Sequence, residues 1–345
     1  MATERGSLPF GRKYLGSKRL LRNWIASRIR EIAGEPRSFL DGFCGTGSVA
    51  FAMAEQGSAR VTAVDSLRSN CVILRGCAHA DLPVGEMLAR LNALAPGEGY
   101  ISAHFAGRYF TRENCGRMDA IRDEIEAMRS SRRLGDDGHD VLLASFLLAA
   151  DRVANTVGQY DAYLKNIESP SMVGRRHMVD ERVRTPFLLQ PLDRFPGRGL
   201  DVIEGDMLVL LPRIEVEVAY FDPPYNHRQY CDNYHVLENL ARWEKPPLSG
   251  KTMKFDRATL RSPFSSRSGA AAAMRALIEG ARARHIFLSY SSEGILSRDE
   301  IMEMLSRRGS PAVVEIPYPV FGNGAGVAAR RTVAEYLFHA APRGG

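Results

Sequence analysis

The sequence is poor in cysteine, and it has no apolar run long enough to cross a membrane. Its cysteines form no CxxC pair and have no zinc-ligand spacing, which predicts reduced, isolated thiols at Cys44, Cys71, Cys77, Cys115 and Cys231. The longest predominantly apolar run covers residues 141–150, whereas a bilayer needs about 20 residues. The N-terminal residues also lack an apolar signal region. We therefore expect a cytoplasmic protein with no membrane partner and no bound metal.

Strong charge of either sign is also absent, although the small excess of basic residues is unevenly distributed. The 345 residues are 45% hydrophobic and 25% charged, with a formal net charge of +6, which excludes a disordered, collagenous or disulfide-scaffold protein. Residues 1–30 hold eight Lys/Arg and one acidic residue, and residues 251–285 hold eight and two. Two basic segments suggest contact with a polyanion, but solvated helix faces would give the same pattern.

The order of local patterns predicts an α/β fold. A strand at residues 38–41, a glycine-punctuated turn at 42–47, a small-residue helix and a strand ending at Asp65 begin a βαβ unit. Sheet-like and helical segments alternate again from residue 200 onward. We predict a doubly wound, Rossmann-like sheet built from residues 1–79 and 199–345. Residues 80–198 are predicted to be an inserted domain that is largely helical and rich in loops.

The glycine turn and the acidic residue after it predict a nucleotide-like ligand. Gly45 and Gly47 let the backbone approach a ligand closely, and Asp65 is placed to accept hydrogen bonds from a ribose diol. The same residues also fit the fingerprint of a nicotinamide dinucleotide, or a merely structural turn. Asp41 favours S-adenosylmethionine, because its carboxylate would repel a pyrophosphate but suits a cationic methionine moiety.

The sequence Asp222-Pro223-Pro224-Tyr225 follows an apolar strand and predicts chemistry on a planar amine. Two prolines fix the backbone, so that the Asp222 carboxylate and the Pro223 carbonyl can accept both hydrogens of one NH₂ group. The nitrogen lone pair then turns toward an electrophile such as a sulfonium methyl group, and Tyr225 offers a face for stacking a base. A simple turn after a strand is the structural alternative.

Two further segments extend the predicted ligand site. Lys13-Tyr14-Leu15-Gly16-Ser17-Lys18 near the N-terminus could fold over a cofactor through Tyr14, Gly16 and Lys18, although a surface turn explains it equally well. Asp206 places another carboxylate at the same sheet edge after the strand at residues 200–204, where such a residue also commonly caps the next helix.

Together these motifs resemble a known family. The order KYLGSK, DGFCGTG, AVD, EGD and FDPPY resembles the Dam-like class of adenine-specific (N6) DNA methyltransferases. The run at residues 222–238 is similar, more narrowly, to the modification methylases that accompany type IIS restriction enzymes. The resemblance implies methyl transfer from S-adenosylmethionine to a flipped adenine in double-stranded DNA, a cognate restriction endonuclease as partner, and a target-recognition role for residues 80–198. Cys44 stands where other residue types are usual.

The resemblance also assigns roles to residues. It implies that the cofactor is held by Tyr14, Lys18, Asp41, Phe43, Gly45 and Asp65, to which their positions add Gly16, Gly47 and Asp206. It implies that Asp222, Pro223 and Tyr225 hold the target adenine, with Pro224 completing the loop. The candidate DNA contacts lie just past this loop and in the insertion; they are Asn226, Arg228, Gln229, Tyr230, Arg175, Arg176, Arg182 and Arg184.

Other functions remain open at this point. The tetrapeptide does not specify the base, so N4-cytosine, RNA and protein amides are alternative substrates. A nicotinamide-dependent oxidoreductase and a catalytically silent DNA-binding protein are alternatives from other classes. Methylation at cytosine C5 is disfavoured, because it needs a cysteine nucleophile that usually follows proline, and no cysteine here does.

Overall fold

A computed structural model describes residues 12, 14–57, 60–165, 167, 181–196, 199–319 and 332–341. Within these residues, seven strands form one mixed sheet. The strands are β1 (Ser38–Asp41), β2 (Arg60–Asp65), β3 (Leu200–Glu204), β4 (Glu215–Phe221), β5 (Arg282–Ser291), β6 (Ser310–Pro319) and β7 (Thr332–Ala341). Their order across the sheet is β3-β2-β1-β4-β5-β7-β6.

The sheet reverses its winding direction between β1 and β4. The chain runs outward from β1 through β2 to β3 and then returns to place β4 on the other side of β1. The first five strands are parallel, while β7 is antiparallel to both β5 and β6. In such sheets ligands bind where the winding reverses, at the carboxyl ends of the strands. The predicted doubly wound, Rossmann-like α/β fold is confirmed.

Helices cover both faces of the sheet. The described helices are α1 (Arg22–Ala33), α2 (Ser48–Glu55), α3 (Arg68–Ala78), α4 (Gly85–Asn92), α5 (Tyr100–Phe105), α6 (Arg112–Ser130), α7 (Asp136–Val153), α8 (Met207–Leu210), α9 (Tyr230–Asn233), α10 (His235–Arg242), α11 (Ala270–Gly280) and α12 (Arg298–Ser306). Neighbouring strand residues point to opposite faces. Phe39 therefore packs with α1 and α2, whereas Leu40 packs with α11 and α12.

Several element boundaries differ from those that the local sequence pattern predicts, which are a helix from about Lys18, a strand over residues 285–290 and a helix over residues 233–243. The first helix begins at Arg22 rather than near Lys18, because the side chain of Lys18 is buried in the cavity described below. Strand β5 extends back to Arg282, since charged residues at its solvent-exposed start hid the strand pattern. The helix predicted at residues 233–243 is observed as α10 (His235–Arg242), and the single-turn helix α9 (Tyr230–Asn233) precedes it.

The insertion and the sheet domain share one hydrophobic core. Val72 of α3, Phe105 and Leu147 of the insertion, and Leu237 of α10 belong to the same buried cluster. The buried Arg122 of α6 also donates its Nε–H to the carbonyl of Leu240, at 2.9 Å. The insertion is therefore packed onto α3 and α10. Its predicted role as a reader of DNA sequence stays a prediction.

Among the described residues, no helix has the length and apolar character needed to cross a membrane.

Candidate active site

A cavity of about 540 Å³ opens at the carboxyl ends of β1, β2 and β4, next to the point where the winding reverses. Many of the predicted site residues line it, namely Tyr14, Gly16, Lys18, Asp41, Phe43, Gly45, Asp65, Asp206, Asp222, Pro224, Gln229 and Tyr230. These residues come from five separate stretches of the chain. The parallel strands bring them together because they all end at one edge of the sheet.

The glycine turn is held in place by Asp65. The backbone N–H of Gly45 donates to Asp65 Oδ2, and that of Leu67 donates to Asp65 Oδ1, both at 2.8 Å. A carboxylate offers about four acceptor positions, so Asp65 keeps capacity for a further donor beside these two and the Asn70 side chain. Burial raises the pKa of Asp65, against the effect of the two backbone donors and of Asn70. Asp65 therefore shapes the turn and still presents an acceptor in the wall of the cavity.

Gly47 has a packing role. Its φ is +74°, and it precedes α2 as the capping residue. A Cβ atom at this position would lie 2.4 Å from Leu74 Cδ2, so only glycine lets α3 pack closely against the turn. Leu74 belongs to the buried core on this face of the sheet.

Asp41 is a buried carboxyl group at the end of β1, with only 2% of its surface exposed. Its Oδ2 accepts a hydrogen bond from the backbone N–H of Ala50 in α2, at 3.1 Å. Burial, followed by the like charge of Asp222, raises the pKa of Asp41 to about 8. Asp41 therefore mostly carries its proton at neutral pH, and a cationic group placed in the cavity would favour loss of that proton.

The N-terminal segment at residues 14–18, called the strap below, lies along the cavity through aromatic contacts. The ring of Tyr14 stacks on Tyr234, with ring centroids 4.4 Å apart. The hydroxyl of Tyr230 donates to the Leu15 carbonyl at 3.2 Å. Gly16 has a φ of +69°, and a Cβ atom there would lie 2.8 Å from the Tyr230 hydroxyl oxygen. The strap is thus an ordered part of the cavity wall rather than a free surface turn.

The Asp222 carboxylate lies at the end of β4, in contact with a cation. Lys18 Nζ is 2.8 Å from Asp222 Oδ1. Burial raises the pKa of Asp222 to about 6, and the ammonium of Lys18 opposes that rise. The Tyr225 ring packs edge-to-face on Tyr290 at 6.1 Å between centroids. The Tyr225 carbonyl accepts from the Ile295 N–H at 2.8 Å. The loop is therefore fixed on both sides of its prolines.

Asp206 and Phe43 also line the cavity. Asp206 Oδ1 accepts from the Leu208 N–H at 2.8 Å and so caps α8, while the residue also lines the cavity. The helix cap that the sequence allowed as an alternative is therefore present, together with the predicted place at the site. The Phe43 ring packs edge-to-face on Phe264, with centroids 5.3 Å apart, which fixes a flat apolar surface in the wall.

The residues just past the Asp-Pro-Pro-Tyr loop connect it to two other loops. The side chain of Gln229 accepts from the Ser262 N–H at 2.8 Å and donates to the Ser262 carbonyl at 3.1 Å. The exposed Arg228 donates to Gln159 Oε1 of the insertion at 2.8 Å. Its backbone N–H donates to Asn226 Oδ1 at 3.0 Å. Arg228 and Asn226 therefore lie on the rim of the cavity, outside its lining.

Of the four arginines predicted in the insertion, the two that the structure describes, Arg182 and Arg184, do not line the cavity. Arg182 donates to the Thr156 carbonyl at 2.6 Å, and Arg184 lies 3.5 Å from another backbone carbonyl oxygen, so both fasten loops of the insertion. Arg175 and Arg176 lie outside the described residues.

The second basic segment is divided between two ends of the sheet. Lys254, Arg257 and Arg261 surround Asp232, with nitrogen–oxygen distances of 3.7, 2.7 and 3.8 Å, and we call these three residues the basic cluster. Arg282 instead begins β5, at the edge opposite the cavity, where it pairs with a glutamate of β4. Only part of this segment therefore adjoins the site.

Sequence patterns missed several charged residues at the site. Glu204 and Arg242, both in the cavity wall, are paired at 3.3 Å, and Arg68 binds Glu204 at 3.0 Å. Glu204 directly precedes Gly205-Asp206, so its position in the sequence could have indicated that it lies at the site. The buried Glu238 binds Arg242 at 2.7 Å and lies at the end of the run that carried the family resemblance. Glu335 of β7 contacts Lys18 at 3.0 Å and belongs to no motif.

In the described part of the chain, no group of three or more His, Cys, Asp or Glu side chains is placed to hold a metal ion. All five cysteines are buried, and none forms a disulfide.

The fold and cavity define the class: a Rossmann-like α/β protein with a ligand cavity where its sheet reverses direction. The profile of the family described as D12 class N6 adenine-specific DNA methyltransferase matches residues 14–304. The chain belongs to this family.

Named relatives agree with the family. The type II methyltransferase M.NlaIII of Neisseria lactamica is 35% identical over 89% of this chain and 92% of its own length. The modification methylase StsI of Streptococcus sanguinis is 28% identical over 95% of this chain and 51% of its own length. The type II methyltransferase M.FokI of Planomicrobium okeanokoites is 28% identical over 89% of this chain and 49% of its own length. The chain thus spans about half of the last two relatives.

These matches confirm the predicted family, the adenine-specific (N6) DNA methyltransferases, and the relatives are named as type II methyltransferases or modification methylases. The oxidoreductase alternative is wrong. Membership of a methyltransferase family implies, in general terms, the use of S-adenosylmethionine as the methyl donor.

Proposed function

We propose that this chain binds S-adenosylmethionine in the cavity and methylates the N6 amine of an adenine flipped out of duplex DNA beside Asp222. The observation that carries the proposal is the convergence of the glycine turn, Asp41, Asp65 and Asp222 on one cavity. The first three form a wall suited to the cofactor, and Asp222 lies where the target base would enter.

The residues of the cavity fit this cofactor. Asp65 presents a carboxylate to a ribose diol, and the buried Asp41 suits the positive charge of the methionine moiety. Phe43 supplies an apolar face, and Asp206 and the strap, with Gly16, complete the wall. When bound, S-adenosylmethionine supplies a methyl group carried on a sulfonium. A dinucleotide would instead place a pyrophosphate near Asp41.

Asp222 performs the central step on the DNA side. Its carboxylate and the Pro223 carbonyl accept the two N–H hydrogens of the target amine, so that the nitrogen lone pair points toward the methyl group. Bound S-adenosylmethionine would supply the methyl group, and its sulfur would keep the electron pair of the broken carbon–sulfur bond while Asp222 and Pro223 hold the amine. The amine becomes cationic, and the carboxylate stabilises it until the extra proton passes to water. Tyr225, held by Tyr290, stacks on the flipped base.

The rim of the cavity supplies the contacts that offset base flipping. Extruding a base costs a few kcal/mol, and cation contacts with phosphates provide binding energy that depends on salt. The residues that we assign to the DNA backbone lie at or next to the rim; they are the basic cluster, Arg228, Asn226 and Gln229, the last of which also lines the cavity. Tyr230, whose hydroxyl donates to the Leu15 carbonyl, is assigned to holding the strap rather than to binding DNA.

The insertion is our proposed reader of sequence, with Arg175, Arg176, Arg182 and Arg184 as its candidate contacts. A cognate restriction endonuclease is the proposed partner, because the relatives are named as modification methylases.

Mapping of modified bases tests the proposal. The chain is expressed in a host that lacks DNA methylation, and its DNA is sequenced by a single-molecule method that detects methylated bases. We expect N6-methyladenine at one position of a short sequence, in nearly all copies of that sequence. The control is the same host carrying Asp222→Ala. N4-methylcytosine at the mapped position, or unmodified DNA with a well-folded protein, would contradict the proposal.

The ionisation of Asp41 gives a pH prediction for cofactor binding. Because the pKa of Asp41 is about 8 in the free protein, binding a cation beside it requires loss of a proton. The affinity for S-adenosylmethionine should therefore rise by up to about tenfold per pH unit below pH 8. Titration calorimetry between pH 6 and pH 8.5 measures this slope, and Asp41→Asn should flatten it. The matched variant Asp206→Asn should keep the wild-type slope, and an identical slope in Asp41→Asn would refute the assignment.

A further inference from the structure

A second carboxylate, that of Glu335, lies beside Asp222 and has no role in the function proposed above. Lys18 Nζ lies 2.8 Å from Asp222 Oδ1 and 3.0 Å from Glu335 Oε1. The exposed fractions of the three side chains are only 6% for Lys18, 16% for Asp222 and 12% for Glu335. Glu335 pairs with Ser291 in the β5–β7 register, which puts it at the same edge of the sheet as Asp222.

The charges of Lys18, Asp222 and Glu335 do not cancel. One ammonium is shared by two carboxylates, so the fully ionised trio carries a net charge of −1. Burial disfavours the charge of Lys18, but Asp222 and then Glu335 outweigh it and raise its pKa well above the ordinary value. Lys18 therefore stays cationic throughout the working range of pH. The remaining negative charge lies within a buried site, where it is poorly screened by solvent.

The position of Glu335 affects what Asp222 can do. Lys18 also donates a hydrogen bond to the Gly16 carbonyl at 3.3 Å, whereas its contacts with Asp222 Oδ1 and Glu335 Oε1 are ion pairs without hydrogen-bond geometry. Because Glu335 shares the ammonium, Lys18 meets Asp222 at Oδ1, and the other oxygen, Oδ2, would accept the target amine. Without that second anion, the ammonium would be held by Asp222 more strongly and would compete with the incoming amine.

We propose that Glu335 is a positioning residue for methyl transfer, which anchors Lys18 so that Asp222 keeps a free oxygen and supplies negative charge as the adenine amine becomes cationic. This inference rests on the proposed function and deepens it. Glu335 acts through Lys18 and through its charge, and contact with the substrate is left to Asp222.

Other titratable groups also lie around Asp222, and their charge states affect how its titration is interpreted. Asp41 faces it from β1, Tyr220 from β4, Tyr225 from the loop and Tyr230 from α9. The pKa values of the three tyrosines are raised by burial, so these groups stay neutral near pH 7. In the free protein Asp41 changes charge near pH 8, above the range in which Asp222 titrates, and the Asp41→Asn variant identifies any contribution that Asp41 makes once the cofactor is bound. The acidic side of the rate profile therefore reports Asp222 under the influence of its two charged neighbours.

The test is the pH dependence of the single-turnover rate on the duplex identified by base mapping, with the cofactor already bound. Glu335→Gln keeps the size of the side chain and removes its charge. The loss of a like charge should move the acidic limb of the profile down by about half a pH unit or more. The maximal rate should fall about tenfold, because the cationic amine loses a stabilising charge. The affinity for S-adenosylmethionine, measured by calorimetry, should stay as in the wild type.

Two further variants make the result specific. Lys18→Met should move the acidic limb upward, opposite to Glu335→Gln, since Asp222 then loses its cation. Glu293→Gln removes an exposed carboxylate nearby and should leave the profile unchanged. Should Glu335→Gln fail to fold, as judged by its melting temperature, Glu335→Asp keeps the charge and should keep the wild-type limb, while Lys18→Met still supplies the shift.

The outcomes separate this inference from the proposed function. A wild-type rate profile in Glu335→Gln, a limb that moves in the same direction as in Lys18→Met, or a displaced limb in Glu335→Asp would overturn the role of Glu335 alone. Absence of adenine methylation by the wild-type chain would instead overturn the proposed function.

Discussion

Replacement of Asp222 by alanine is expected to lower the rate of methyl transfer by about a thousandfold or more. The carboxylate is the group that would accept a hydrogen from the target amine and then stabilise its positive charge. The fold should tolerate this change, because burial raises the pKa of Asp222 to about 6, so the buried charge costs stability at neutral pH. Lys18 keeps Glu335 as its partner in the variant.

The measurement separates chemistry from binding. Single-turnover methylation of the mapped duplex gives the rate, and calorimetry gives the affinity for S-adenosylmethionine, which should change by no more than about threefold. Asp222→Asn serves as the matched variant: it keeps the shape of the side chain but brings N–H donors toward the amine, so it should be nearly as inactive. Retention of a tenth of the wild-type rate by Asp222→Ala would refute the assigned role.

The rate of methyl transfer by the wild type should fall on the acidic side of about pH 6. The pKa of Asp222 is about 6, and only the ionised carboxylate accepts the amine hydrogen. Below that pH the carboxyl group is protonated and the rate should fall about tenfold per unit. This profile is the reference against which the Glu335 and Lys18 variants are compared.

Sequence reasoning succeeded where local motifs coincide with strand ends. Asp41, Asp65 and Asp222 each follow a short apolar strand, and parallel strands bring such residues to one edge. The glycine turn could be located for the same reason, although the need for glycine at position 47 also reflects the close packing of Leu74. These features depend on a few neighbouring residues and on one general rule of α/β folds.

The features that sequence reasoning missed depend on packing between distant segments. Glu335 reaches the site only because β7 is inserted antiparallel beside β5, which no local pattern predicts. The joint core of the insertion and α10, with Arg122 buried against it, is equally non-local. Charge along the chain was also an incomplete guide: Arg261 and Arg282 lie in one basic segment but at different ends of the sheet.

Asp65→Ala is expected to weaken binding of S-adenosylmethionine about a hundredfold. One carboxylate oxygen of Asp65 accepts from Gly45 of the glycine turn and the other from Leu67 at the start of α3, both at 2.8 Å. Loss of the side chain removes these two bonds and the acceptors for the ribose diol. Hydrogen bonds to a charged group are worth about 1.5–3 kcal/mol each, so the ribose contacts alone account for the expected loss. Water in the cavity can satisfy the two freed N–H groups, and the fold should persist.

The experiment compares the variant with Asp206→Ala, because both carboxylates line the cavity and accept a backbone N–H. Asp206 bonds one backbone N–H of a four-residue helix, whereas Asp65 bonds two around the glycine turn, so the Asp206 variant should lose affinity by about tenfold at most. Calorimetry measures both, and the rise in melting temperature on adding cofactor should be smaller for Asp65→Ala. Because Asp65 acts on the cofactor side, saturating S-adenosylmethionine should restore most of the methylation rate, in contrast to Asp222→Ala. An affinity equal to that of the wild type would remove Asp65 from the binding site.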